Sequence, residues 1–233
     1  MAEQVNSLDE ILEYLSAPLS SEELSLEARA REFADKSQEE INRMAQDPAF
    51  QKKWREFSIG RMFGSGNLSK GEGAKEWDVM NQFIHQKILL GDKPSLDAIC
   101  KINSIVSQKE GGIIRDCYSF AGDKQFIKPS DLPLLLRAFE ENFLKKLGMN
   151  PLFEAFMIYT WGTTLHPFKD GNGRTFRGCS DWILLGCGLL PVSFSSSVSA
   201  HVAVSQNTLL PKRSQKFSQF LAAHKASYLK LTP

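Results

Sequence analysis

The residues best suited to chemistry stand together in one stretch, His166 to Arg177, HPFKDGNGRTFR. His166 brings an imidazole, a side chain that can be neutral near pH 7 and so take a proton from a hydroxyl. Gly171-Asn172-Gly173 immediately precedes an apolar run with helical spacing. A helix start leaves backbone N–H groups without intrahelical partners and carries partial positive charge. Glycines there let an anion approach the main chain, which makes a phosphate cradle. Arg174 and Arg177 lie three residues apart at that start, roughly on one face, and two guanidiniums so placed suit a polyphosphate. Asp170 is out of place in a site that only binds phosphate, but natural where a carboxylate holds Mg²⁺ bridging phosphate oxygens. Taken singly, each residue has an ordinary structural reading as a cap, a turn or a helix-end histidine. Taken together they describe a base, a metal ligand and a phosphate cradle in one loop, suited to attack on a nucleotide phosphate.

The elements around this loop are mostly helical. NPLFEAFMIYTWGTTL before it is apolar nearly all round and is predicted to be a central buried helix, which Pro167 breaks. GRTFRGCSDWILLGCGL after it is a second apolar helix, stopped by Gly188 and Pro191. Upstream, KEWDVMNQFIHQKILLG and PSLDAICKINSIVSQ carry apolar residues at helical spacing, the second capped by Ser95. GGIIRDCYSFAGDKQFIKP, with β-branched and aromatic residues about Gly122-Asp123, is predicted to be a hairpin. SDLPLLLRAFEENFLKKLG returns to helix, with Ser130 or Asp131 as cap and Gly148 just past its end. In the first part of the chain, S-x-x-E at Ser7–Glu10 and Ser37–Glu40 predicts two helix starts, and Asp47-Pro48 a third. Two further helical stretches lie around residues 195–210 and 214–230.

Gly60 to Gly73, GRMFGSGNLSKGEG, resembles a phosphate loop only superficially: Gly71 is followed by Glu72 where that loop needs Lys. It is read as a flexible connector between an N-terminal helical region, residues 1–73, and a domain spanning 74–233.

Composition narrows the function. A formal net charge of +1 over 233 residues gives no electrostatic footprint for nucleic acid. No apolar run approaches a membrane span, and MAEQVNSLDEILEYL lacks the basic start of a secretory signal. The four cysteines form no C-x-x-C pair, which argues against zinc and for buried reduced thiols in a cytosol. The expected location is cytoplasmic, in the producing cell or in a host cell after translocation.

The motif resembles the signature of the Fic family, H-P-F-x-[DE]-G-N-G-R-x-x-R, at every specified position. A chance match to its seven most restrictive residues is on the order of 10⁻⁹ per window. Gly112 to Arg115 and Phe126 to Pro129 resemble the ends of the family's hairpin flap, G-x-x-R and F-x-x-P. The similarity runs from about Lys75 to Leu190. It implies an all-α Fic fold, with a central helix–loop–helix and a short β-hairpin flap. The implied reaction is transfer of AMP from ATP to a Ser, Thr or Tyr hydroxyl of a target protein, as in a bacterial toxin or translocated effector. His166 would be the base and Asp170 the Mg²⁺ ligand. Gly171, Asn172 and Gly173 would form the anion hole, with Arg174 and Arg177 on the triphosphate tail and Phe168 structural. The target would dock on the flap, residues 113–129, as an added strand. Ala and Lys replace Gly171 and Gly173 in the family's phosphorylating branch, so kinase activity is not implied here. UMP or phosphocholine transfer, and a nucleotide- or partner-binding module without turnover, are the alternatives. The family's inhibitory motif, [ST]-x-x-x-E-[GN], has no match: Leu68, Val106 and Arg137 stand four residues before Glu72, Glu110 and Glu141. That absence implies either a separate antitoxin-like partner or an unrestrained enzyme, and it argues against the reverse reaction.

Overall fold

The computed structural model describes residues 8–44, 47–53, 74–107, 110–121, 124–192 and 213–231. In chain order these form α1 (Leu8–Ser16), α2 (Ser21–Met44), a short helix at residues 48–53, α3 (Ala74–Leu89) and α4 (Leu96–Val106). The strands β1 (Phe120–Ala121) and β2 (Lys124–Gln125) follow, then α5 (Leu132–Asn142), α6 (Pro151–Leu165), α7 (Asn172–Gly186) and α8 (Arg213–Leu231). Helices dominate, and β1 and β2 are a two-residue antiparallel pair, Phe120 opposite Gln125. The Gly60–Gly73 connector, the Ser7 cap, the Gly122-Asp123 turn and the helical stretch around 195–210 lie outside the described residues.

The apolar circumference of α6 sets the architecture. Leu152 through Gly162 are all buried, so this helix must be covered on every side. α7 packs along it most extensively, α3 and α4 pack against α7, and α2 and α8 close over α6. The two central helices cross closely because Gly162 has no side chain. A Cβ there would lie 1.9 Å from Cγ of Phe176, a ring that is itself 1 % exposed. Any residue but glycine would force α6 and α7 apart and move the loop between them.

Local chemistry accounts for most of the helix ends. Ser95 caps α4 by accepting from the Ala98 N–H, and Asp47 does the same for Ala49. Gly188, at φ +71°, follows the end of α7. Three expectations need correction. Ser37 starts no helix: α2 runs through it unbroken, and its hydroxyl donates back to the Phe33 carbonyl. The working capping box is Ser20–Glu23, with Ser20 Oγ accepting from the Glu23 N–H and the Glu23 carboxylate accepting from the Ser20 N–H. Gly148 does not cap α5 either, since that helix stops at Asn142 and a 3-10 turn, Leu144–Lys146, intervenes. The cysteines are also less uniformly buried than expected: Cys179 is buried and Cys100 half-buried, while Cys117 and Cys187 are exposed. All four are free thiols.

Candidate active site

The loop between α6 and α7 is built by its own side chains. His166 ends α6 in the left-handed conformation, φ +49° and ψ +54°, with its N–H returned to the Gly162 carbonyl. The left-handed residue turns the chain sharply, so Pro167 and Phe168 leave the helix axis and Phe168 buries its ring against Phe176. Asn172 then closes the loop: its Oδ1 accepts from the Phe168 N–H at 3.0 Å and its Nδ2 donates to the Phe168 carbonyl at 2.8 Å. The Asn172 amide is 2 % exposed and occupied by main chain, so its side chain supports the anion hole from behind. What the loop offers an anion is backbone. Gly171 sits at φ +76°, where a Cβ is strained, and the first turn of α7 begins with the next residue. A Cβ on Gly173 would meet nothing within 4 Å, so this side of the turn is open.

The charged residues divide. Asp170 is partly exposed and pairs with Arg174 one turn along, Nη2 to Oδ2 at 3.1 Å. Arg177 is 3 % exposed, buried close enough to Tyr159 for its charge to act on that phenol. The two arginines therefore differ, one at the mouth of the cradle and one inside the helix pair, although their spacing suggested a shared face. Among the described residues no cluster of three His, Cys, Asp or Glu could hold a metal on its own. A single carboxylate beside an anion cradle fits Mg²⁺, which keeps waters and is bound by one or two carboxylates together with substrate phosphates. Asp170 would be the residue to hold it.

His166 is held from two directions. The ring of Phe126, just past β2, stacks on the imidazole at 3.9 Å between centroids and 17° between planes. Its carbonyl accepts from Arg115 Nε at 2.6 Å. Arg115 is 2 % exposed and spends its guanidinium on main chain alone. Beyond His166 it donates to the carbonyls of Cys117 at 2.7 Å, Ile127 at 2.5 Å and Leu165 at 3.4 Å. Its own N–H donates to the Pro167 carbonyl, and Ile114 bridges Phe168. Both legs of the hairpin are thus tied to the turn that carries the histidine. Outside, Lys169 pairs with Glu110 at 2.6 Å, a further link between the motif loop and the approach to the hairpin.

The sequence-predicted residues His166, Asp170, Gly171, Asn172, Gly173, Arg174 and Arg177 all fall on this turn and the start of α7. Two residues with structural control over it were not singled out as site residues. Arg115 was noted only as part of the flap's opening signature. Asn103, buried on α4, hydrogen-bonds the Asp170 carbonyl at 2.9 Å. The available signal for Asn103 was an amide inside the apolar stripe of Ile99, Ile102 and Val106.

Residues 93–184 match the model of the Fic/DOC family. The chain is similar to protein adenylyltransferase Fic of Drosophila grimshawi, 30% identical over 115 residues, covering 48% of this chain and 24% of that protein. The protein of the same name from Drosophila ananassae is 31% identical over 115 residues, covering 48% and 23%. The chain thus spans about a quarter of the length of these curated relatives. Among solved structures, a Fic domain containing signaling protein from Bacteroides thetaiotaomicron superposes with a TM-score of 0.65 at 16% identity, over 87% of this chain and 96% of that one. Fic-1 from C. elegans superposes at 0.58 and 19% identity, over 95% and 81%. At these identities the structural likeness establishes an all-helical Fic fold.

Proposed function

We propose that the Fic/DOC domain of this chain is a protein adenylyltransferase, moving AMP from ATP to a Ser, Thr or Tyr hydroxyl of a target protein. The observation that carries this reading is the joint placement of His166, Asp170 and the open start of α7 on one pinned turn. A module that only binds nucleotide has no use for a base held on two sides.

In this reading the imidazole of His166 takes the proton of the target hydroxyl as its oxygen bonds to the α-phosphorus. The bond from that phosphorus to the bridging oxygen breaks, and pyrophosphate leaves with the electron pair. Asp170 would hold Mg²⁺, which when bound would supply neutralisation of phosphate charge. Backbone N–H groups at Gly171–Gly173 and the α7 dipole bind the phosphate oxygens. Arg174 exchanges its Asp170 partner for the phosphates, and Arg177 serves the triphosphate tail. Phe126 and Arg115 fix the direction in which the imidazole points, and the hairpin holds the target's extended segment beside it.

Restraint by a glutamate within the chain is not part of this reading. Glu23 is committed to Arg213, and Glu27 to the N–H groups of Leu152 and Phe153, at the opposite end of α6 from the motif. The test is incubation of the purified chain and a host or bacterial lysate with Mg²⁺ and ATP labelled on the α-phosphate. Wild type transfers label to protein with a mass gain of AMP, and His166→Ala reduces transfer by at least about a thousandfold. Persistence of labelling in His166→Ala overturns the base assignment. A mass gain of UMP or phosphocholine from those donors, with none from ATP, overturns the donor.

A further inference from the structure

The apolar face of α4 contains one residue that does not belong to an apolar core. Asn103 is fully buried between Ile102 and Val106, where an aliphatic side chain would pack at no desolvation cost. Each part of its amide is used. Oδ1 accepts from the Gly112 N–H at 2.8 Å, and Nδ2 donates to the Asp170 carbonyl at 2.9 Å and to Thr175 Oγ1 at 3.0 Å. Gly112 is where the flap begins. Asp170 precedes the phosphate cradle, and Thr175, itself fully buried, lies in the first turn of α7. Only a side chain with both donor and acceptor on one planar group joins these partners. Just past the end of α4, the Ser107 hydroxyl lies 3.5 Å from Asp170 Oδ2, so this segment reaches both the main chain and the carboxylate of that residue.

We infer that Asn103 is a positioning residue, which sets the distance between the root of the flap and the phosphate cradle. The inference rests on the transferase reading above. The flap would hold the target hydroxyl and the cradle the α-phosphate, and these must meet in line within a few tenths of an ångström. Arg115 fixes the flap to the base. Asn103 fixes it to the cradle, with α4 as the common support. Because Asn103 grips the Asp170 carbonyl, its loss displaces the carboxylate and Gly171 together. Binding of the nucleotide with its metal therefore weakens along with turnover, an effect of the size produced by removing supports behind metal ligands.

Three variants separate the bonds. Asn103→Asp keeps an acceptor for Gly112 and removes the donor to Asp170. Asn103→Leu removes both. Thr175→Val removes the outer partner with little change of shape. Calorimetric titration with ATP and Mg²⁺ in a His166→Ala background reads binding without turnover. Hydrogen exchange at the Gly112 amide, measured without nucleotide, reads the flap bond. For Asn103→Asp we expect about tenfold weaker nucleotide binding and a matching rise in KM for ATP, with wild-type exchange at Gly112. Asn103→Leu adds fast exchange at Gly112 and a kcat lowered about a hundredfold. Thr175→Val weakens binding a few-fold. If thermal melts show that Asn103→Leu does not fold, the other two variants carry the test. Wild-type affinity, KM and kcat in Asn103→Asp would overturn the inference. If wild type itself neither binds ATP nor labels protein, the transferase reading falls. In that case unchanged Gly112 exchange in a folded Asn103→Leu separately refutes the link from α4 to the flap.

Discussion

The two ends of α6 are finished by opposite chemistry. At its N-terminus the chain supplies carboxylates. Glu27, from α2, accepts the N–H groups of Leu152 and Phe153, and Glu154 accepts those of Gly148, Met149 and Asn150. At its C-terminus the chain supplies a guanidinium, with Arg115 donating to the carbonyls of Leu165 and His166. Both arrangements oppose the helix dipole with the correct sign and satisfy orphan backbone groups. The ends differ in what the helix then carries. The N-terminal end faces a further buried cluster. Arg213, beside Glu23, also donates to the carbonyls of Tyr14, Ala17 and Pro18 and lies over the ring of Phe153, so every group there is committed to structure. The C-terminal end uses its charge on main chain and carries the His166 imidazole, the Asp170 carboxylate and the Gly171 turn. A helix saturated at one end can thus hold a strained left-handed histidine at the other.

This contrast can be broken experimentally. The largest effect is expected from Arg115→Met, which keeps the length of the side chain and removes all its hydrogen bonds. Labelling per folded molecule falls by at least about a hundredfold, and stability drops by roughly 3 kcal/mol or more as buried carbonyls lose charged donors. Transfer assays normalised to folded protein, alongside urea denaturation, check both. Next comes Arg213→Met at the opposite end, which strands the Glu23 carboxylate in the core. It costs about 3–5 kcal/mol of stability but leaves kcat and KM of the surviving fold at wild-type values. A fall in kcat without a fall in melting temperature would reverse the assignment of the two ends.

The smallest effect concerns pH. Burial pushes the Glu27 carboxyl up to about 7, reinforced by Glu154 and opposed by the Leu152 and Phe153 N–H groups and by Arg31. A carboxyl raised in the folded state favours folding while protonated. Its contribution is complete below its ordinary value and is lost as pH rises through about 7. Glu27→Gln lacks this titration. The stability of Glu27→Gln relative to wild type should therefore rise between about pH 5 and pH 8, by about 1–3 kcal/mol. Denaturation midpoints at both pH values check it, and a flat difference would place the ionised carboxylate comfortably at the helix start.

The legibility of the sequence follows the range of its interactions. The motif was readable because its partners are neighbours in the chain: Asn172 bonds Phe168 four residues back, and Asp170 pairs with Arg174 four residues on. α6 and α7 were readable because a helix apolar all round must be central. Ser37–Glu40 misled because S-x-x-E recurs along amphipathic helices, and no Gly or Pro interrupts residues 21–44. The different burial of Arg174 and Arg177 was not readable, because spacing along a helix says nothing of how deeply each face is covered. Arg115, Asn103 and Glu27 were opaque for a different reason. Their partners lie 51, 67 and 125 residues away, and in sequence Asn103 is one amide in an apolar stripe while Arg115 and Glu27 are charged residues with other charges close by.

The bond between Glu23 and Arg213 joins residues 190 positions apart, at 2.6 Å and with both side chains almost wholly buried. It has a consequence for biosynthesis. As the chain leaves the ribosome from its N-terminus, α1 and α2 emerge long before α8 exists, and the Glu23 carboxylate lacks this counterion until residue 213 has been made. This closure over α6 therefore waits for α8 and depends on a contact of very high sequence separation. A polypeptide interrupted before residue 213 would carry the complete motif and still lack the clasp that shuts the molecule around it.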